Sequence, residues 1–174
     1  MATSYMSTTP LILADGTFSC LLPGYSQLYI IHAVIANNVA VPTLFCLVRG
    51  KKKETYEKIL ELVEGIAGSK GTTFFNRPFT VMSDFEDGFI HAVQELYGSA
   101  TVKCCLFHFA QNIWKRAAPV MRKVKKAAGE KSETFSMAMK TKRRFMMLVL
   151  LPEELITSEV IRLILDDWKA GAPD

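Results

Sequence analysis

Between Pro10 and Val48 three strand-type runs follow one another with only turns between them, and from Tyr56 onward the hydrophobic period lengthens to that of a helix. The first run, Pro10 to Phe18, leads into the turn signal Pro23-Gly24-Tyr25-Ser26. The second, Gln27 to Ala36, is rich in β-branched and aromatic residues and stops at Asn37-Asn38, a pair that tolerates positive φ and so predicts a tight reversal. The third, Val39 to Val48, starts at once. Pro42 within it has no N–H to give a ladder and marks an edge strand or a bulge. Strands joined by such short turns form an antiparallel meander.

Beyond the meander the pattern alternates. Tyr56, Ile59, Leu60, Val63, Ile66 and Ala67 share one helical face, with Gly68 and Gly71 to end it. Phe79 to Asp84 is a short buried strand. Phe89, Val93, Leu96 and Tyr97 predict a second helix stopped by Gly98. Thr101 to Phe107 predicts a fifth strand, and a long helix begins near His108 with Phe109, Ile113, Ala117, Val120 and Val124 as its apolar stripe and Pro119 as a kink or split. Residues 135–155 and 158–168 are helical with a break at Pro152. Three antiparallel strands, then two reached through helices, is the element order of a ribonuclease H-like mixed sheet, here with a C-terminal helical segment. Right-handed crossovers leave few other arrangements. The fold class is α/β, and fold alone does not give function.

Composition narrows the class. At 174 residues, 49% hydrophobic and 22% charged, the chain fits one globular domain. The longest apolar run, Phe145 to Pro152, is far short of the roughly 20 residues that cross a bilayer, so no membrane partner is expected. The first ten residues lack the basic and apolar regions of a secretory signal, which favours a reducing compartment. Cys20, Cys46, Cys104 and Cys105 lie mostly in apolar segments and make a poor disulfide framework, so they read as thiols. Charge is unevenly spread. Residues 101–150 hold 12 Lys/Arg against 2 Asp/Glu, while residues 1–100 hold 7 against 9 and residues 151–174 hold 2 against 6. Lys115, Arg116, Arg122, Lys123, Lys125 and Lys126 fall on the outer positions of the long helix. They are either a solvated face or a phosphate-binding surface.

Two carboxylates stand out. Asp15 closes an apolar strand directly before Gly16, and Asp84 ends the fourth. In a ribonuclease H-like sheet the first and fourth strands are central neighbours, so the two acids would approach each other. A hard divalent cation with oxygen ligands is the usual remedy for their repulsion. Two such ions would activate a water or 3′-hydroxyl and stabilise the leaving oxygen in phosphoryl transfer. The bland reading makes Asp15 a turn residue and Asp84 a helix N-cap, with Glu86 and Asp87 at the positive end of the helix dipole. Residue patterns leave both open. An ATP-dependent enzyme is disfavoured, since no glycine-lysine phosphate loop is present.

The stretches "LADGTF", "PGYSQLYIIHAV", "VPTLFCLV", "KKKETYEKIL", "VMSDFEDGFIHAV" and "VKCCLFHFAQNIWKR" occur in order from about Leu13 to Arg116 and together resemble the Mutator-like element (MULE) transposase domain. The resemblance implies a cut-and-paste DNA transposase core with an Asp-Asp-Glu triad holding Mg²⁺ or Mn²⁺, in which Asp15 is the first aspartate and Asp84 the second. It implies double-stranded DNA as partner, a homo-oligomer, and a nuclear location, to which the basic clusters "VRGKKK" and "KTKRR" would be suited. Cys105 and His108 match the family's Cys-x-x-His motif beside the site. Alone they are half a zinc site at most, because zinc takes about four ligands. Residues 1–128 would form the core and residues 129–174 the start of a helical insertion. The family's third acid lies after that insertion. No Asp or Glu occurs between Glu95 and Glu130, so the helix directly after the fifth strand cannot supply the acid, and the role is assigned to none of Glu153, Glu154, Glu159, Asp166 or Asp167. Either the third carboxylate lies beyond residue 174, or the chain is a truncated or domesticated relative that binds DNA or protein without cutting.

Overall fold

The computed structural model describes residues 2–17, 22–71, 73 and 78–171. It divides into two compact units, Met1–Cys105 and Leu106–Asp174.

In the first unit a short helix, α1 (Ala2–Thr8), precedes β1 (Leu11–Thr17), β2 (Gln27–Ile35) and β3 (Val39–Val48). Then come α2 (Lys53–Gly68), β4 (Thr80–Ser83), α3 (Asp87–Leu96) and β5 (Thr101–Cys104). The sheet order is β3-β2-β1-β4-β5, with β1–β2 and β2–β3 antiparallel and β1–β4 and β4–β5 parallel. This is the mixed sheet that the element order predicts.

Local chemistry explains the turns. Tyr25 donates its N–H to the carbonyl of Leu22 at 3.2 Å, with Pro23 and Gly24 between them and Gly24 at φ 85°. That is Pro and Gly in the positions a type II turn requires. Asn37 and Asn38 sit at φ 63° and 57° in the three-residue turn Ala36–Asn38 that links the paired Ile35 and Val39, a left-handed conformation that Asn tolerates. Pro42 turns out to mark both an edge and a bulge. β3 is the edge strand, and its register against β2 shifts between Ile31 and His32, where Ile31 faces Leu44 and His32 faces Pro42. Thr43, the extra residue, donates its hydroxyl to the Ile31 carbonyl at 2.9 Å.

Alternation along β1 and β2 turns Ile12, Ala14, Tyr29, Ile31 and Ala33 to one face, where they pack with Tyr56, Leu60, Val63 and Ala67 of α2 and Phe89, Ala92 and Val93 of α3. Met6 of α1 joins the same core. The tyrosines and Phe89 form an aromatic triangle, with Tyr29–Tyr56, Tyr29–Phe89 and Tyr56–Phe89 centroids 5.0, 5.1 and 5.6 Å apart. Such pairs add about 1 kcal/mol each beyond burial.

Several sequence expectations are corrected. Residues 2–8, to which the sequence pattern assigns no element, are helical, with Tyr5 and Met6 packed on the core. Leu96 and Ile66 are exposed, each one step off the buried stripe of its helix. The fifth strand is shorter than expected, ending at Cys104, and the helix starts at Leu106. Phe18 and the segment around Phe74 to Arg77 lie outside the described residues.

The second unit is helical: α4 (Leu106–Ala128), α5 (Glu133–Met147) and α6 (Ser158–Gly171), with single turns at Leu148–Leu150 and Glu153–Leu155 around Pro152. Pro119 does not split α4, which runs through it for 23 residues. One missing backbone hydrogen bond, costing about 3 kcal/mol, is outweighed by the turns on either side. The inward stripe also differs from expectation. Met121 is buried and Val120 is exposed, so the stripe runs Ile113, Ala117, Met121, Val124. Among the described residues, no helix is long and apolar enough to cross a membrane.

Candidate active site

β1 and β4 run parallel with Leu11, Ile12, Leu13 and Ala14 opposite Thr80, Val81, Met82 and Ser83. The next residue on each chain is an aspartate. Asp15 is the fifth residue of β1, still paired with Ile30 of β2, and Asp84 is the first residue beyond β4. The central strand and its parallel neighbour therefore present two carboxylates at adjacent positions on one end of the sheet. Strand ends of this kind, beside a change in strand direction, are where open α/β sheets place ligands.

Both bland readings of these acids are overturned. Asp15 is not in a turn, because Gly16 and Thr17 continue the strand opposite Tyr29 and Leu28. Asp84 is not the N-cap. That position belongs to Glu86, whose side chain makes no cap bond. Asp84 instead accepts the backbone N–H of Glu86 at Oδ1, 3.1 Å away, and the Ser83 hydroxyl lies 3.4 Å from the same oxygen. The glycine after Asp15 also has a cause. A Cβ at Gly16 would collide with the side-chain amide of the buried Gln27.

Asp84 is half-buried, and on the core side behind it lie the buried Tyr29, Tyr56 and Glu86. Burial, then the charges of Asp84, the neighbouring Tyr56 and Glu86, push the Tyr29 phenol well above its usual range. Burial, then a hydrogen bond to Glu86, does the same to Tyr56. Cys104, opposite Ser83 on β5, is raised by burial and then by the charge of Asp84. Cys46, Cys104 and Cys105 are free thiols, as the sequence suggests. Cys20 lies outside the described residues.

The Cys-x-x-His motif straddles the boundary between the units. Cys105 closes the first, its N–H donating to the Ser83 carbonyl at 2.7 Å, and so is tied to the residue before Asp84. His108 lies half-buried in the first turn of α4. In the second unit Lys115, Arg116, Arg122, Lys123, Lys125 and Lys126 are all exposed on α4. Lys125 pairs with Glu130 at 2.7 Å. Trp114, which helical spacing assigns to a core, is 47% exposed, with the Lys142 ammonium 4.4 Å from its ring centroid.

The sequence pattern assigns Glu86 only a helix-dipole charge. Glu86 is 8% exposed and is bound by Tyr56, Gln27 and Lys51. The Asp-x-Glu spacing was visible, but its partners come from residues 27, 51 and 56, which nothing in the local pattern links to it.

Among the described residues, no group of three or more His, Cys, Asp or Glu side chains is arranged to hold a metal ion. The donors that are present are nonetheless of the right kind. Mg²⁺ keeps several waters and is commonly held by one or two carboxylates together with substrate phosphates, so Asp15 and Asp84 fit as its protein ligands.

A mixed sheet whose central strand carries one acid and whose parallel neighbour leads into a second defines the ribonuclease H-like class. Residues 11–112, more than half of the chain, match the model of the MULE transposase domain, and the chain belongs to that family. No curated protein matches it. The family makes the protein transposase-related.

Proposed function

We propose that this chain is the core of a DNA transposase that cleaves and joins duplex DNA strands at Asp15 and Asp84. The observation that supports this reading is the β1–β4 register, which sets the two aspartates at adjacent strand ends. Together they would hold Mg²⁺ or Mn²⁺, which when bound supplies charge stabilisation to the scissile phosphate. The Ser83 hydroxyl and the Glu86 N–H orient Asp84, and the covered sheet face behind them keeps water from that side. Exposed cations on α4 would draw the DNA backbone without reading sequence. On this reading the chain works in the nucleus, assembles into a homo-oligomer, and has a functional core that takes in α4, through residue 128, beyond the compact unit Met1–Cys105.

The test is Mn²⁺-dependent nicking of a labelled duplex by the chain, by Asp15→Asn and by Asp84→Ala. Nicking by the chain and none by either variant is the expected result. Because no three-ligand cluster is found among the described residues, a second reading has the chain bind DNA without cutting it. Salt-dependent duplex binding with no nicking selects that reading, and neither binding nor nicking sinks both.

A further inference from the structure

Burying a carboxylate is costly unless charge and hydrogen bonds compensate it, and Glu86 is compensated from several directions. Tyr56 on α2 donates its hydroxyl to Oε1. Gln27, at the start of β2, donates Nε2 to the same oxygen at 3.1 Å and lies 2.5 Å from the Tyr56 hydroxyl. Lys51, in the loop after β3, reaches Oε2 at 2.7 Å, with its own side chain still 47% exposed. Three separate parts of the fold thus converge on the turn between β4 and α3.

The same turn is fixed a second time at Gly88. A Cβ there would collide with the backbone carbonyl of Lys51, so the first turn of α3 lies directly against the loop that supplies the Lys51 ammonium. Only a residue without a side chain permits that approach. Glu86 also caps the helix start through its carbonyl, which accepts from Phe89 and Ile90 at 3.1 Å each. Its remaining backbone group, the N–H, points the other way and donates to Asp84 Oδ1.

We infer that Glu86 is a positioning residue: its buried carboxylate, clamped by Tyr56, Gln27 and Lys51, holds the backbone N–H that orients the Asp84 carboxylate. Glu86 is not itself a metal ligand, since both of its oxygens are already engaged, Oε1 by Tyr56 and Gln27 and Oε2 by Lys51. Partners of this kind set the orientation of a ligand they never replace. The inference deepens the proposed metal-dependent reading, on which its relevance to cation binding rests.

The experiment uses the full chain with two variants that leave Glu86 in place. Tyr56→Phe removes one hydrogen bond without changing any charge, and Lys51→Met removes the exposed partner; Lys51→Arg is the conservative control. Two quantities are read: hydrogen exchange at individual backbone amides, and Mn²⁺ affinity by calorimetric titration. The expected result is exchange at the Glu86 amide faster by about fivefold, the equivalent of one lost hydrogen bond, with the Ala92 and Val93 amides unchanged. Mn²⁺ affinity falls about tenfold in both variants and is restored in Lys51→Arg. An unchanged Glu86 amide overturns the inference. So does an equal acceleration along the whole of α3, which would make the clamp a purely structural support. A local response at Glu86 in a chain that takes up no Mn²⁺ upholds the positioning and overturns the metal reading instead.

Discussion

Among the described residues of Met1–Cys105, sixteen buried apolar residues form one continuous core between the sheet and α1, α2 and α3. In Leu106–Asp174 the buried apolar residues among those described are Met121, Ala138 and Ile164, while Trp114, Met147, Leu150, Leu155 and Leu163 are exposed. Burial stabilises by about 25 cal/mol per Å² of apolar surface, so the first unit is held by its core. The second has a thinner core, to which a helix cap and exposed contacts between its helices add a little. Ser132 caps α5 by accepting the Phe135 N–H at 3.1 Å, Arg144 pairs with Asp167, and Lys142 sits over Trp114. The acids of the candidate site stand on the densely packed unit and the cations on the thinly packed one. Precise geometry needs a dense frame, whereas attraction to a phosphate backbone does not.

The contrast is open to direct attack. The largest expected effect falls on the cations. If all six α4 residues contact phosphates, raising salt from 50 to 200 mM weakens duplex binding by about 10³-fold. Replacing Lys123, Lys125 and Lys126 with Gln should halve the slope of log affinity against log salt, as read by fluorescence anisotropy. A slope unchanged by these replacements would remove α4 from the DNA-binding surface.

Next is the core. Leu60→Ala should destabilise the first unit by about 3 kcal/mol and Met121→Ala the second by about 2 kcal/mol, because a sparse core collapses more readily around a cavity. The units can be followed separately, since all five tyrosines lie in the first and both tryptophans in the second. Urea titrations read by tyrosine near-ultraviolet dichroism and by tryptophan fluorescence should therefore move independently. Coincident shifts in both signals would break the comparison.

Alkaline pH should separate them further. Tyr29, Tyr56 and Tyr97 are each raised above the ordinary 10.0, by burial first. A raised folded-state pKa contributes stability that is fully present below the unfolded value and is lost as pH climbs past it. The first unit should weaken from about pH 10 upward, with three of the five tyrosines staying un-ionised at 295 nm until it unfolds. The smallest effect is the cap. Ser132→Ala should cost about 1 kcal/mol, visible in the tryptophan transition alone.

The same division marks what the sequence made legible. Strand alternation, the Asn37-Asn38 reversal and the Pro42 irregularity could all be read along the chain, because each depends on neighbours within a few residues. Asp15 and Asp84 were legible as a pair because topology fixes which strands adjoin, and the family resemblance from Leu13 to Arg116 is matched by the family model over residues 11–112. Glu86 was not, since its burial depends on Gln27, Lys51 and Tyr56 arriving from elsewhere in the fold. In the long helix the stripe was misplaced by one residue at Val120. A helix with few inward contacts carries a weak period, and its proline costs less than the turns around it return.

The bulge at Thr43 has a consequence for self-association. β3 is an edge strand of ten residues without a charged side chain, and Phe45 and Leu47 are exposed on it. A flat edge of that composition would template pairing with other chains. Here the register shift and the missing N–H of Pro42 break the row of outward backbone groups into two short halves, neither long enough to seat an extended partner along its whole length. Straightening that strand, by deleting Thr43 and replacing Pro42, would turn a quiet border into an aggregation front.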